Sequence, residues 1–321
     1  MALRILITGT TGFIGGRVAA LAAARPEPGC LRLLARGPLP PPALVTGERD
    51  GGPVTETVTG DLRDADSLRR ACAGVDVLIH CASAIGGDEE LARTVNDEGT
   101  RTLVDAAVRA GVTRIVSLST ASVHGRGPFR AAAPGTLPLA PGSATSRTRS
   151  AGERHVMDAG GAVLRPHLVY GTGDRQLIPG LVRLLAALPG PLDAGASLHS
   201  LIDVDRLAGA LLGAALSPRT EAGPYYVNHP DPVSVAELLA PCEELLQGRA
   251  GRARAAAVDL AEAHELLAGH PFGRHHLAML ATDHWFADGR PWAELGCDPG
   301  PGFTAGFAAH APWYRNLLDR S

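Results

Sequence analysis

The stretch Leu3-Arg4-Ile5-Leu6-Ile7-Thr8-Gly9-Thr10-Thr11-Gly12-Phe13-Ile14-Gly15 decides how this chain folds. Leu3 to Ile7 is a short apolar run of the kind that forms a strand buried on both faces. Phe13 to Ala24 reads as a helix. Between them Gly9, Gly12 and Gly15 stand at G-x-x-G-x-x-G spacing. Glycines there let the backbone turn tightly and come close to a pyrophosphate, whose charge then rests on the helix N-terminus. A strand before the glycines and a helix after them is the context that gives the motif its meaning. Gly9, Thr11, Gly12, Phe13, Ile14 and Gly15 are therefore candidate dinucleotide-binding residues.

Outward from this cradle the N-terminal half alternates apolar runs with amphipathic stretches, a βα repeat that implies a parallel sheet. Strands are expected at Leu31 to Ala35, Thr55 to Thr59, Val75 to His80 and Arg114 to Ser119. Helices are expected at Asp64 to Cys72 and Thr94 to Ala110. A Gly/Pro loop follows the second strand at Gly37 to Pro42, and Gly127 to Pro141 reads as a flexible Pro/Ala loop. Beyond Leu168 the helices shorten, at Leu177 to Leu188 and Val233 to Leu246, with a short strand at Leu201 to Val204. Ser234-Val-Ala-Glu237 has capping-box spacing, and Pro241 is expected to kink or split the helix it opens. Arg249 to Ala257 reads as a solvated helix face.

The second strand ends Leu33-Leu34-Ala35-Arg36, with no carboxylate near. An acidic residue there would bind the ribose 2′-hydroxyl of NAD, whereas an arginine accommodates a 2′-phosphate. Arg36 points to NADPH/NADP as the cofactor.

Composition narrows the class further. A chain of 321 residues suits one large domain or two moderate ones. The hydrophobic fraction is 45% and the net charge −3, which leaves no basic surplus for nucleic acid or an anionic membrane. Apolar runs break well short of a membrane span, and the N-terminal residues lack a signal-peptide layout, so a cytoplasmic protein is expected. Cys30, Cys72, Cys81, Cys242 and Cys297 are odd in number without C-x-x-C spacing, which argues against disulfides or zinc, and no metal site is expected. The partner is a small-molecule substrate; oligomeric state is left open. Lysine is absent throughout, so no mechanism here can use a lysine amine.

Further segments, in order along nearly the whole chain, resemble the extended short-chain dehydrogenase/reductase family. Gly60-Asp61-Leu62 resembles the segment whose Asp contacts adenine, and His80-Cys81-Ala82-Ser83 the strand end beside the ribose. Asn96 to Ala107 resembles the helix carrying the family Asn. Leu164-Arg165-Pro166-His167-Leu168-Val169-Tyr170-Gly171 is similar to the segment passing the nicotinamide. Ile202 to Asp205 and Leu295 to Pro299 complete the pattern. The resemblance implies an α/β fold, a Rossmann-like doubly wound parallel sheet with a smaller C-terminal substrate domain. Residues 1–170 would form the NADP-binding part. Residues 171–321 would be mainly substrate-binding, with some segments returning to the first. It also implies cofactor contacts from Asp61, Leu62, Ala82, Ser83, Pro166 and Val169.

One departure matters for chemistry. The family places a Tyr-x-x-x-Lys pair on a helix, often with Glu four residues after the Lys. Thr145-Ser-Arg-Thr-Arg149-Ser-Ala-Gly-Glu153 resembles that helix, with Thr145 at the Tyr position and Arg149 at the Lys position. A threonine hydroxyl is too weak an acid to replace a phenol. Arginine does not deprotonate, though Arg149 could hold the ribose. In Ser119-Thr120-Ala121-Ser122-Val123-His124-Gly125, Thr120 takes the usual Ser/Thr position and His124 replaces the family Tyr. Thr120 and His124 are the candidate catalytic residues, the first to bond a carbonyl oxygen and the second to supply a proton. Its alternative reading for Thr120 is strand-end capping. His167, Tyr170 and His199 are weaker candidates for the cleft wall, as are the loops Gly86 to Leu91 and Gly127 to Pro141.

The resulting expectation is an atypical NADPH-dependent ketoreductase acting on an aromatic polyketide ketone, whose missing acid is replaced by His124, water or a phenol of the substrate. The alternatives are an NADP(H)-binding redox sensor without turnover, and a nucleotide-sugar epimerase or dehydratase.

Overall fold

The strand leading into the glycine cradle becomes the centre of a seven-stranded, all-parallel sheet. The computed structural model describes residues 3–25, 28–37, 52–250 and 256–320. The expected loop at Gly37 to Pro42 and the Arg-rich stretch at 249–257 fall largely outside these. Strands β1 (Leu3–Thr8), β2 (Pro28–Ala35), β3 (Val54–Thr59), β4 (Val77–His80) and β5 (Arg114–Leu118) lie close to the sequence expectation. The order across the sheet is β3-β2-β1-β4-β5, then Ala162–Arg165 and finally Gly223–Tyr226. That last strand comes from the C-terminal half of the chain and pairs in register, Tyr226 with Arg165.

Apolar strand residues fill both faces. Ile5, Ile7, Leu31 and Ile79 pack with helix α1 (Phe13–Ala23) and with Val204–Leu216. Leu6, Leu34 and Leu78 pack with helices at Ala65–Cys72 and Thr100–Arg109 on the other side. A separate core joins Leu177–Ala186, Val235–Ala250 and Phe303–Asp319. At roughly 25 cal/mol per Å² of apolar area removed from water, these cores are the main source of stability. Among the described residues no helix is long and apolar enough to cross a membrane.

Three local expectations change. The single helix expected from Thr94 to Ala110 is interrupted by a π-helical stretch, Arg93–Gly99. The reason is tertiary: a Cβ on Gly152 of the neighbouring helix would stand 2.3 Å from the Asn96 carbonyl oxygen. Only a glycine permits that approach, and π-turns of this kind gather at functional sites. The loop expected at Gly127 to Pro141 contains a strand, Phe129–Ala132, which pairs with His284–Phe286. Of the two outcomes expected at Pro241, a kink or a split, the split does not occur, and the helix runs on to Ala250. That helix opens with the capping box expected of it: Glu237 N–H donates to Ser234 Oγ at 3.2 Å, and Ser234 N–H to Glu237 Oε2 at 2.9 Å.

Candidate active site

Two of the cradle glycines, Gly9 and Gly15, are structurally required, and Gly12 has room for little more, a Cβ there standing 3.2 Å from the Gly9 carbonyl oxygen. Gly9 has φ +74, and a Cβ there would meet the Cys81 and Ala82 backbone at 2.6 to 2.8 Å. A Cβ on Gly15 would stand 2.3 Å from the Gly9 carbonyl oxygen. Gly12 N–H closes the turn on that same carbonyl at 3.0 Å. Helix α1 starts with Gly12 as N-cap, with no side-chain cap and no acidic residue in its first turn. Its leading N–H groups are thus left for an outside anion. Beside them Thr10 Oγ1 is buried without a partner in the protein. These features fit a dinucleotide pyrophosphate.

The cradle opens into a cavity of about 1680 Å³. Thr11, Gly12, Phe13, Ile14 and Gly15 line one end. Ser83, Arg149, Pro166 and Val169 also line it, whereas Gly9, Arg36, Asp61, Leu62 and Ala82 do not. Arg36 is exposed at the end of β2. The Asp61 carboxylate receives Arg63 Nε at 2.9 Å and Nη2 at 2.7 Å. Those bonds, helped by the positive charges of Arg63 and Arg36, hold its pKa down to about 2. The edge beyond β2 therefore carries two arginines and one carboxylate. Ala82 N–H donates to Thr8 Oγ1 at 3.2 Å, and Ser83 Oγ–H to Asn96 Oδ1 at 3.0 Å.

The helix expected to correspond to the family's Tyr-x-x-x-Lys helix is anchored by packing. Helix Ala144–Asp158 carries Glu153, which takes Arg165 Nε at 3.0 Å and Nη2 at 2.6 Å. Both side chains are at most 4% exposed. One turn earlier Arg149 reaches the cavity and donates to the Leu118 carbonyl at 2.8 Å. Burial lowers its pKa, but a guanidinium remains charged. One further turn back Thr145 lines the cavity, its Oγ1 accepting from Gly86 N–H at 3.4 Å. Among the described residues no tyrosine lines the cavity.

Thr120 also lines the cavity, but its hydroxyl is engaged locally. Its Oγ1 accepts from Ser122 N–H and donates to Ser122 Oγ, both at 3.2 Å, capping the short 3-10 helix Ala121–His124. Its neighbour Ser119, not singled out from sequence, faces the cavity with a buried Oγ that has no partner in the protein. His124 is not on the cavity wall. Its Nδ1–H donates to the Pro138 carbonyl at 2.8 Å, so Nε2 is the acceptor of Tyr226 O–H at 2.8 Å and of Arg165 Nη1 at 3.3 Å. Burial, reinforced by the Arg165 charge, lowers its pKa and keeps it neutral. With both ring nitrogens occupied, His124 is a strut between the 3-10 helix, the 137–140 segment and the buried Arg165–Glu153 pair.

Opposite the cradle the wall is apolar and ring-rich, with Phe129, Leu177, Met279, Phe286, His167 and His284. Phe129 is the part of the Gly127 to Pro141 segment that reaches the cavity, while Ile85 rather than residues 86–91 supplies the other loop's contribution. Of the weaker candidates His167 lines the cavity, whereas His199 lies fully buried behind it. Tyr170 is buried in the C-terminal core against Phe303. Cys81 lines the cavity as a thiol, burial pushing its pKa up to about 12, which makes it a poor nucleophile. The cysteines are free.

Comparisons with known proteins agree with this geometry. The chain is 29% identical over 266 residues to a 3 beta-hydroxysteroid dehydrogenase/Delta 5-->4-isomerase of Mycobacterium tuberculosis, covering 75% of this chain and 69% of the other. It is 29% identical over 253 residues to a 4-hydroxy-2-methyl-3-oxo-4-farnesyl-3,4-dihydroquinoline-1-oxide ketoreductase of Stigmatella aurantiaca, covering 74% and 71%. The match to a plant relative, a 3beta-hydroxysteroid-dehydrogenase/decarboxylase of Arabidopsis thaliana, spans only 47% of that protein. Among solved structures, a dTDP-glucose 4,6-dehydratase of Streptomyces venezuelae with NAD bound superposes with a TM-score of 0.72, at 26% identity over 98% of this chain and 97% of the other. The pattern described as the NAD dependent epimerase/dehydratase family matches residues 5–228, more than two thirds of the sequence. With its glycine cradle, its parallel sheet and an oxidoreductase's nicotinamide-binding plan, this chain belongs to the NAD dependent epimerase/dehydratase family.

Proposed function

We propose that the protein is an NADPH-dependent ketoreductase acting on a ketone of an aromatic polyketide, of the angucyclinone type, in antibiotic biosynthesis. One observation carries the reading. A single cavity runs from an intact glycine cradle, past Thr145 and Arg149 where a phenol and an ammonium usually stand, to a ring-lined apolar wall. A bound NADPH supplies a hydride. The cradle would hold its pyrophosphate, and Arg36 would accommodate its 2′-phosphate. Arg149, fixed by the Leu118 carbonyl, fills the ribose-side position. Pro166 and Val169 present the nicotinamide face.

The charge that grows on the ketone oxygen needs a donor, and neither the positions the family uses nor His124 supplies an adequate acid. Thr120 and Ser119 offer only aliphatic hydroxyls, Arg149 does not give up its proton, and His124 is neutral and fully engaged. A phenol beside the ketone supplies the proton from within the substrate. The ring-lined wall suits a flat aromatic skeleton, and the Stigmatella relative is named for a ketone in a fused ring system.

The test is NADPH oxidation across a panel of aromatic ketones by wild type, Thr120→Ala and His124→Ala. Turnover by the His124→Ala variant supports the reading, and its complete loss with NADPH binding intact contradicts it. A second reading, an NADP(H)-binding sensor, is favoured by the lost Tyr and Lys alone. It would be marked by equal affinity for NADPH and NADP and no oxidation with any ketone. An epimerase or dehydratase is disfavoured because those reactions also rely on the Tyr position held here by Thr145.

A further inference from the structure

Behind the apolar wall three histidines from separate segments meet: His167 after the strand Ala162–Arg165, His199 in Leu198–His199, and His284 in His284–Phe286. One ring nitrogen from each lies within 4.8 Å of those of the other two. The ring centres are 5.3, 6.1 and 6.3 Å apart. A triangle with these sides has a point about 3.4 Å from every ring centre. A zinc–imidazole bond of 2.0–2.1 Å, plus roughly 1.1 Å from nitrogen to ring centre, requires about 3.2 Å. The ring planes lie within 16° of one another, and the ring centres have the spacing of a three-imidazole site.

Hydrogen bonds settle which nitrogens carry protons. Ser197 Oγ–H donates to the Leu280 carbonyl, so Ser197 must accept from His199 Nε2–H at 3.1 Å. His199 Nδ1 is therefore a bare lone pair, and it is buried with no partner. His284 Nδ1–H donates to the Thr282 carbonyl at 2.8 Å, which leaves Nε2 as its lone pair. Both nitrogens of His167 are buried without a partner in the protein, and whichever is unprotonated adds a third. Lone pairs do not satisfy one another, and burying unpaired polar atoms costs about 1–3 kcal/mol each. Outer hydrogen bonds that fix the tautomers of converging histidines are the usual support of a metal site.

We propose that His167, His199 and His284 bind one divalent transition-metal ion of the zinc type. Three imidazoles leave a tetrahedral ion one open position. His167 and His284 line the cavity, whereas His199 is fully buried, so the open position faces the cavity and takes a water or an oxygen donor of a bound ligand. The proposal stands apart from the ketoreductase reading, since binding can be measured without turnover. A sequence search for metal spacing does not find the site, because its ligands come from three distant segments.

Cobalt(II) is the probe, added to chelator-treated full-length protein. The expected result is one equivalent bound with the intense visible absorption of a tetrahedral ion, displaced by one equivalent of zinc, and a thermal midpoint raised by zinc. His199→Asn should weaken cobalt binding at least tenfold while NADPH affinity stays unchanged, and His167→Gln should weaken cobalt binding as much. His310→Gln, at another Asp/His cluster, should leave cobalt binding unaltered. If a variant does not fold, the wild-type spectrum and stoichiometry still decide. No absorption beyond that of aqueous cobalt, or binding unmoved by both His167 and His199 variants, overturns the proposal.

Discussion

Glu153 and Arg165 form a two-bond ion pair, at 3.0 and 2.6 Å, with both side chains buried beneath the helix that carries Arg149 and Thr145. That pair locks the helix Ala144–Asp158 against the sheet, and so fixes Arg149 and Thr145 on the cavity wall. Removing one partner leaves an uncompensated buried charge, which costs about 3–5 kcal/mol. Glu153→Gln should lower the urea midpoint accordingly. A change under about 1 kcal/mol would mean that the pair is not closed as described.

Gly15→Ala should reduce NADPH affinity by more than tenfold, because its Cβ would press on the Gly9 carbonyl at 2.3 Å and open the turn. Gly209→Ala is the control. It sits in the helix Val204–Leu216 with nothing within 4 Å of an added Cβ, and should gain up to about 1 kcal/mol of stability. Isothermal titration of NADPH with both variants makes the comparison. Equal affinities would remove the cradle from cofactor binding.

On the proposed reading, cofactor choice rests on Arg36. Arg36→Leu should weaken NADPH about ten- to hundredfold, or about 1.4–2.8 kcal/mol, and leave NADH nearly unchanged. A parallel loss of both cofactors would show that Arg36 supports the fold of that edge rather than a 2′-phosphate.

His80 makes a pH prediction. It is buried between strands, with Nδ1 accepting from Thr8 O–H at 2.8 Å and Nε2–H donating to Thr100 Oγ1 at 3.1 Å. Burial, and secondarily the Arg149 charge, lower its pKa to about 4. With the folded value below the ordinary one near 6.5, the unfolded chain takes up the proton first as pH falls. This contribution is intact above pH 6.5 and is lost between 6.5 and 4, at up to about 1.4 kcal/mol per pH unit. Urea unfolding of wild type and His80→Gln at pH 7, 6 and 5 should show a shallower slope for the variant. Identical slopes would contradict the assignment.

The cradle was legible in sequence because its demands are local: a strand, three glycines and a helix start within Leu3 to Ala23. Arg149 and Thr145 were legible because Glu153 marks their register. What escaped depends on contacts between distant segments. The π-helical stretch exists because Gly152 meets Asn96, and the strand Phe129–Ala132 exists because His284–Phe286 lies beside it. His124 looked like an acid in sequence, and only the positions of Pro138, Tyr226 and Arg165 show that its nitrogens are occupied. Ser119 and the three clustered histidines carry no spacing signal at all.

The central claim is ketone reduction without an acid from the protein, and substrate chemistry tests it most directly. The measurement is NADPH oxidation with an aromatic ketone bearing an adjacent phenol, compared with its O-methyl ether, each at saturation with binding confirmed separately. The account predicts that the ether turns over at least about a hundredfold more slowly, a barrier increase of about 2.7 kcal/mol. Equal rates for the two ketones would contradict it and return the proton to a group on the protein.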